Sequence, residues 1–155
     1  MSHPELGAPA PGFSLPATGG ETISLEDLKG RKVVLFLYPR DDTKGCTAEA
    51  IGFTEKLAEF EAAGAVVLGL SADSIASHEK FIAKHELGMA LLSDEDATVA
   101  SAYGAWVEKS MYGRKFLGIE RSTFLIDGDG VLRQVWRKVR VPGHVGAVLD
   151  AVRAL

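Results

Sequence analysis

The chain of 155 residues holds one cysteine, Cys46, in a setting where a thiol is activated. The apolar stretch Val33-Val34-Leu35-Phe36-Leu37-Tyr38 runs into Pro39 and a polar turn, Arg40 to Gly45, and Cys46 then opens a helical pattern. The free N–H groups of a first helical turn and the helix dipole favour an anion there. The expectation is a cysteine held partly as thiolate, the reactive form. Thr43 lies three residues before Cys46, so a turn coiling onto the helix start brings its hydroxyl toward the sulfur. Pro39, seven residues before, cannot continue a ladder and ends the strand. Arg121 precedes the apolar strand Ser122 to Asp127, which is expected to neighbour the strand that leads to Cys46. A guanidinium so placed favours the thiolate and holds a polar oxygen substrate.

The elements that must position these groups follow from apolar spacing. Residues 32–38 and 65–71 are continuous apolar runs of the kind buried on both faces of a parallel sheet. Between them Ala50, Phe53, Leu57 and Phe60 recur at helical spacing from Thr47 to Ala63, and Gly64 stops the helix. A second helix is predicted over 75–87 from Ser74 to Gly88, and a short one near 96–103. Residues 90–93 read as a short edge segment. Before the first buried strand, Pro4, Pro9 and Pro11 give an extended lead-in, Phe13-Ser14-Leu15 a short strand, and Ser24 to Leu28 a capped helical turn. Residues 122–126 and 131–136 read as strands joined by the turn Asp127-Gly128-Asp129-Gly130, and a last helix covers 143–154. Residues 105–120 give no clear period. The order β-α-β-α, hairpin, α matches an α/β, thioredoxin-like fold: a central mixed sheet flanked by helices, with an N-terminal extension and residues 1–155 as one domain. The parallel unit puts Cys46 at the carboxyl end of its strand, where ligands bind.

Composition narrows the classes. A net charge of −4 argues against nucleic acid as the main partner. No apolar run approaches membrane-spanning length. Met1-Ser2-His3-Pro4-Glu5 lacks the basic and apolar segments of a signal peptide. One cysteine permits no internal disulfide, and the expected location is the cytoplasm.

Tyr38-Pro-Arg-Asp-Asp-Thr-Lys-Gly-Cys-Thr-Ala-Glu-Ala50 resembles the peroxidatic motif of peroxiredoxins, Pro-x-x-x-Thr-x-x-Cys. Ser71 to His78, Leu92 to Asp94, Ala102 to Gly104, and Met111-Tyr-Gly113 through Arg121-Ser-Thr-Phe-Leu-Ile-Asp127 resemble the bacterioferritin comigratory, or peroxiredoxin Q, subfamily. The resemblance covers essentially the whole chain. It implies a thiol peroxidase that reduces hydrogen peroxide and organic hydroperoxides without metal, haem or flavin. Cys46 is then the nucleophile. Thr43 bonds the peroxide and the sulfur, Arg121 stabilises the thiolate and the polarised O–O bond, and Pro39 shields the sulfur from water. Many relatives carry a resolving cysteine five residues after the first, and here that position is Ile51. The chain thus resembles the one-cysteine branch. Its sulfenic acid is returned to thiol by an external reductant such as thioredoxin, glutaredoxin or glutathione, and the resemblance implies a monomer.

Other readings compete residue by residue. Cys46 could serve a non-enzymatic redox sensor, or pair with His144 in a hydrolase. His144 alone reads as a surface histidine at a helix start, and Arg40, Asp41 and Asp42 as solvated turn residues. His78 and His85 share a helix face but lack metal-ligand spacing. Asp127 to Gly130 begins like a calcium loop, yet position twelve is Lys138, so a hairpin turn is expected. Arg133, Arg137, Lys138 and Arg140 around Trp136 read as a solvated face rather than a phosphate site. Trp106, Met111 and Phe116 either wall the substrate pocket or belong to the core.

Overall fold

The computed structural model describes residues 4–155, so Met1 to His3, part of the segment read for a signal peptide, lie outside the described residues. A seven-stranded mixed sheet runs through the molecule. Its strands are β1 (Ser14–Ala17), β2 (Glu21–Ser24), β3 (Lys32–Leu37), β4 (Ala65–Ser71), β5 (Ala90–Ser93), β8 (Ser122–Ile126) and β9 (Leu132–Trp136). They lie in the order β2-β1-β5-β4-β3-β8-β9. β3, β4 and β5 are parallel, and β8 runs antiparallel to β3. β6 (Trp106–Met111) and β7 (Arg114–Ile119) form a separate two-stranded hairpin. The helices are α1 (Lys44–Glu55), α2 (Leu57–Ala62), α3 (Ile75–His85), α4 (Thr98–Ala102) and α5 (His144–Ala154), with a 3-10 turn at Leu25–Leu28.

β3 shows why the sheet needs cover on both faces. Val33, Leu35 and Leu37 enter one core with Phe13, Leu25, Val99, Tyr103 and Phe124. Val34, Phe36 and Tyr38 enter the other with Cys46, Phe53, Phe60, Phe81 and Val148. The two-residue side-chain period of a strand splits one apolar run between two cores. Gly69 on β4 makes room for this packing: a Cβ there would stand 2.8 Å from the Phe36 ring and 2.7 Å from a Leu91 methyl.

Several expectations need correcting. The segment 90–93 is not an edge. β1 pairs with it antiparallel through Ala17 and Leu92, so the N-terminal hairpin takes the edge instead. The helix expected over 47–63 is two helices broken at Lys56, whose N–H turns back to the Phe53 carbonyl at 3.2 Å. The first of these starts at Lys44, which places Cys46 inside the first turn. Ser24 flanks its 3-10 turn without capping it: its side chain accepts no N–H of the turn, and its hydroxyl is turned to Ser14 Oγ, to which it donates at 2.8 Å. The segment without a clear period, 105–120, holds the β6–β7 hairpin. Tyr112 and Gly113 both have positive φ, 53° and 77°, as a two-residue hairpin turn of the primed kind requires. The turn at Asp127 to Gly130 stands as expected, with Asp127 Oδ1 accepting from the N–H groups of Asp129 and Val131.

Candidate active site

β8 brings the distant arginine home. Leu37, the last residue of β3, pairs with Ser122, the first of β8. In an antiparallel pair, the residue before β8 therefore meets the turn after β3. Arg121 lies there, and its Nη2 is 3.2 Å from Cys46 Sγ. Its Nη1 donates to Glu49 Oε1 at 2.7 Å. Glu49 stands one helical turn beyond Cys46, so both face the guanidinium from α1. Gly45 leaves the space: a Cβ there would come within 3.0 Å of Nη2. Cys46 itself is 1% exposed.

Thr43 is the residue flanking the start of α1, with extended backbone, and its carbonyl accepts the Thr47 N–H at 2.8 Å. Its hydroxyl donates to the Arg40 carbonyl at 3.0 Å. The single hydroxyl hydrogen is thus spent within the turn, and the oxygen keeps its acceptor capacity. Pro39, Arg40 and Thr43 line a cleft of about 560 Å³ whose other wall is the β6–β7 hairpin, including Trp106, Lys109 and Phe116. Met111 lines it too, so all three apolar residues left undecided in the sequence are cleft residues.

The turn is anchored from beneath, against the expectation of solvated residues. Asp41 is buried, and its Oδ1 accepts from Tyr38 Oη at 2.6 Å. Its Oδ2 lies 2.7 Å from both Ser77 Oγ and His78 Nδ1. Nε2 of His78 bonds the Leu92 carbonyl at 2.8 Å. Burial pushes the Asp41 carboxyl up, but the hydrogen bonds from His78, Tyr38 and Ser77 outweigh it and hold the group below the usual range. Asp42 pairs with Lys84 at 2.7 Å and His85 at 2.9 Å, so the two histidines of α3 fasten the turn. Asp41, Asp73 and His78 come close enough together to suit an ion, but each is engaged in this hydrogen-bond network.

His144 is not a surface residue. It is buried, with Nε2 2.8 Å from Thr123 Oγ1 and its ring against the edges or faces of Phe53 and Trp136. Arg137 also departs from the solvated reading. It donates to the Tyr103 and Gly104 carbonyls and stacks over Phe124, 5.4 Å from the ring centroid. Sequence reasoning missed Glu49 and Lys109 as neighbours of the site, read Gly45 only as a turn residue, and weighed His144 only as a partner of Cys46 or a surface group. Only Glu49 carried a signal, its place one turn beyond Cys46. Burial pushes the Glu49 carboxyl up to about 7 against the opposing pull of Arg121. Burial, then Arg121, push His144 down to about 4. Lys109 is also lowered, by burial and then by Arg121.

A thioredoxin-like sheet that presents a buried thiol at a helix start beside an arginine defines a peroxide-reducing class, and residues 6–135 match the AhpC/TSA family. The chain belongs to that family. It is 45% identical over 156 residues to peroxiredoxin Bcp of Xanthomonas campestris, covering 99% of this chain and 98% of the relative. The structure of PrxQ from Xylella fastidiosa superposes with a TM-score of 0.94 at 38% identity, covering 99% and 98% of the two chains. The bacterioferritin comigratory protein of X. campestris gives 0.88 at 44% identity, covering 92% and 90%. The activity that goes with this membership is that of a thiol peroxidase, with a peroxide as substrate and a thiol as reductant. A single cysteine suits the one-cysteine type. Among the described residues no helix is long and apolar enough to cross a membrane.

Proposed function

We propose that Cys46 is the nucleophile of a one-cysteine peroxidase cycle, served by Arg121, Thr43 and Pro39, within residues 1–155 acting as one unit. The observation that carries this reading is the 3.2 Å approach of Arg121 Nη2 to Sγ. The Cys46 thiolate attacks one oxygen of a hydroperoxide. An S–O bond forms as the O–O bond breaks, and Cys46 is oxidised by two electrons to sulfenic acid. The other oxygen leaves as hydroxide or alkoxide and takes a proton to become water or alcohol. Arg121 donates toward the oxygens as charge builds on them, a contribution of a few kcal/mol for a preorganised donor. Thr43 accepts the hydroperoxide O–H, a role left open to it because its own hydrogen goes to Arg40. Pro39 offers no N–H and keeps this edge of the cleft apolar.

The sulfenic sulfur is then attacked by an external thiol, which forms a mixed disulfide and expels water. A second thiol releases Cys46. Thioredoxin, glutaredoxin and glutathione all suit this step. Organic hydroperoxides are substrates as well as hydrogen peroxide. The apolar wall of Trp106, Met111 and Phe116 supports this, as does the X. campestris structure, described for alkyl peroxide reduction. The setting is a cytoplasmic monomer without a nucleic-acid partner, in keeping with a net charge of −4 and dependence on a reducing thiol pool. The test is stoichiometric. Given one equivalent of peroxide, reduced protein consumes it and gains a dimedone-reactive sulfenic acid, and Cys46→Ser does neither. Equal consumption by Cys46→Ser refutes the reading.

A further inference from the structure

Behind Arg121 lies a buried group that the peroxidase cycle above leaves unused. Glu49 gives Oε1 to Arg121, but its Oε2 has no hydrogen-bond partner, alone among the buried side-chain nitrogen and oxygen atoms of the described residues. The side chain is 0% exposed, where an unpaired carboxylate oxygen is costly. Across the gap His144 Nε2 stands 4.0 Å from Oε2. That nitrogen is 2.8 Å from Thr123 Oγ1, and a threonine hydroxyl can turn to donate or to accept. His144 is therefore satisfied whether or not Nε2 carries hydrogen. Phe53 and Trp136 pack perpendicular to the imidazole at centroid distances of 6.2 and 5.8 Å and confine it beside Oε2.

We propose that Glu49 and His144 form a buried proton-holding site that sets how strongly Arg121 acts on Cys46, which makes Glu49 a positioning residue whose charge grades the peroxidase rate. The inference rests on the thiol-peroxidase reading of Cys46. Charge balance gives the direction. Glu49 is faced by Arg121 from the β7–β8 junction and by His144 from α5; Cys46, on its own helix, shares the Arg121 guanidinium with it, and Lys109 on β6 feels Arg121 and Cys46 from the cleft side. With Glu49 ionised and Cys46 as thiolate, two anions share one guanidinium. A proton on Oε2 leaves the thiolate as sole claimant, and Arg121 then acts on the sulfur and the substrate oxygens undivided. The burial that pushes Glu49 up to about 7 puts this change within the working range. Burial and Arg121 keep His144 down, so its ring meets Oε2 as a neutral neighbour that adds no positive charge to favour the carboxylate.

The test measures the second-order rate of Cys46 with hydrogen peroxide against pH, normalised to the thiolate fraction from alkylation, in the wild type, Glu49→Gln and His144→Phe. Carboxyl infrared difference spectra over the same range read Glu49 without turnover. Glutamine keeps an oxygen for Arg121 Nη1 and cannot titrate. The expected wild-type rate falls roughly three- to tenfold through a midpoint near neutrality, in step with a carboxyl band. Glu49→Gln lacks both the band and the fall, and His144→Phe moves the midpoint by about half a unit or more. A Glu49→Gln profile with the wild-type inflection overturns the inference, as does a midpoint unmoved in His144→Phe. A wild type that consumes no peroxide overturns instead the assignment of Cys46, and the infrared titration still reports on Glu49.

Discussion

Arg121 and Cys46 lie 75 positions apart in the chain and 3.2 Å apart in space, Nη2 to Sγ. The contact is a product of register: Leu37 pairs with Ser122, and both residues hang from that rung. Because Nη1 is held by Glu49 at 2.7 Å, the guanidinium is aimed rather than free. Replacing Arg121 by alanine is expected to lower kcat/KM for hydrogen peroxide by about 100- to 1,000-fold, the usual loss for one preorganised donor. Lysine keeps the charge but loses the planar fork that serves Cys46 and Glu49 together, and it recovers only part of the rate. Stopped-flow rates for the two variants check this. An alanine variant within threefold of wild type would place Arg121 outside the chemistry.

Thr43 is expected to act through its oxygen. Thr43→Val loses both the bond to Arg40 and the acceptor, and the peroxide rate falls by roughly 10- to 100-fold. Thr43→Ser restores most of it. Equal rates for serine and valine would show that the hydroxyl is structural only.

Much of this arrangement is legible in the sequence, for specific reasons. β3 and β4 declare themselves because both faces are buried and the apolar run is unbroken. Cys46, Thr43 and Pro39 are local, and their spacing places them in one turn. Arg121 is readable only through the expectation that its strand neighbours β3. What the sequence hides is what pairing and packing decide. The interior place of β5 depends on one antiparallel bridge to Ala17. The β6–β7 hairpin has charged and apolar residues on both faces, since little of it is buried, so the alternation that marks a strand is absent. Asp41 and His144 read as surface groups because a buried polar side chain is recognisable only once its partners, Tyr38, Ser77 and His78 or Thr123, are in place.

Glu49 gives the fold a pH dependence of definite sign. Its carboxyl is raised from 4.5 to about 7 by burial, so the folded state holds a proton that the unfolded chain releases. Stability from this group is full below pH about 4.5 and is lost as pH rises toward about 7, a difference of about 3 kcal/mol. Glu49→Gln removes that slope. Urea denaturation of both proteins over this range measures it, and parallel slopes would contradict the assignment.

Asp41 has the opposite sign. Hydrogen bonds from His78, Tyr38 and Ser77 overcome burial and lower its carboxyl below 3.8, so its contribution is present above that value and is lost as the carboxylate protonates at lower pH. Asp41→Asn weakens the anchor of the turn and is expected to cost about 3 kcal/mol near neutral pH, with a shallower acid limb in thermal melts. Unchanged melting at every pH would remove the network from the stability account.

With no second cysteine in the sequence, the sulfenic acid has no internal partner. Excess peroxide without reductant is expected to drive Cys46 to sulfinic and sulfonic acid. Intact mass then shows two or three added oxygens, and an adduct that stops at one oxygen would contradict this.

The most direct measurement is steady-state peroxide consumption with separate thioredoxin and glutathione–glutaredoxin systems, in the wild type and in Cys46→Ser. Multiple turnovers with at least one system, absent in Cys46→Ser, are the predicted result. A single stoichiometric oxidation that no reductant reverses would contradict the catalytic cycle and leave Cys46 as a redox sensor.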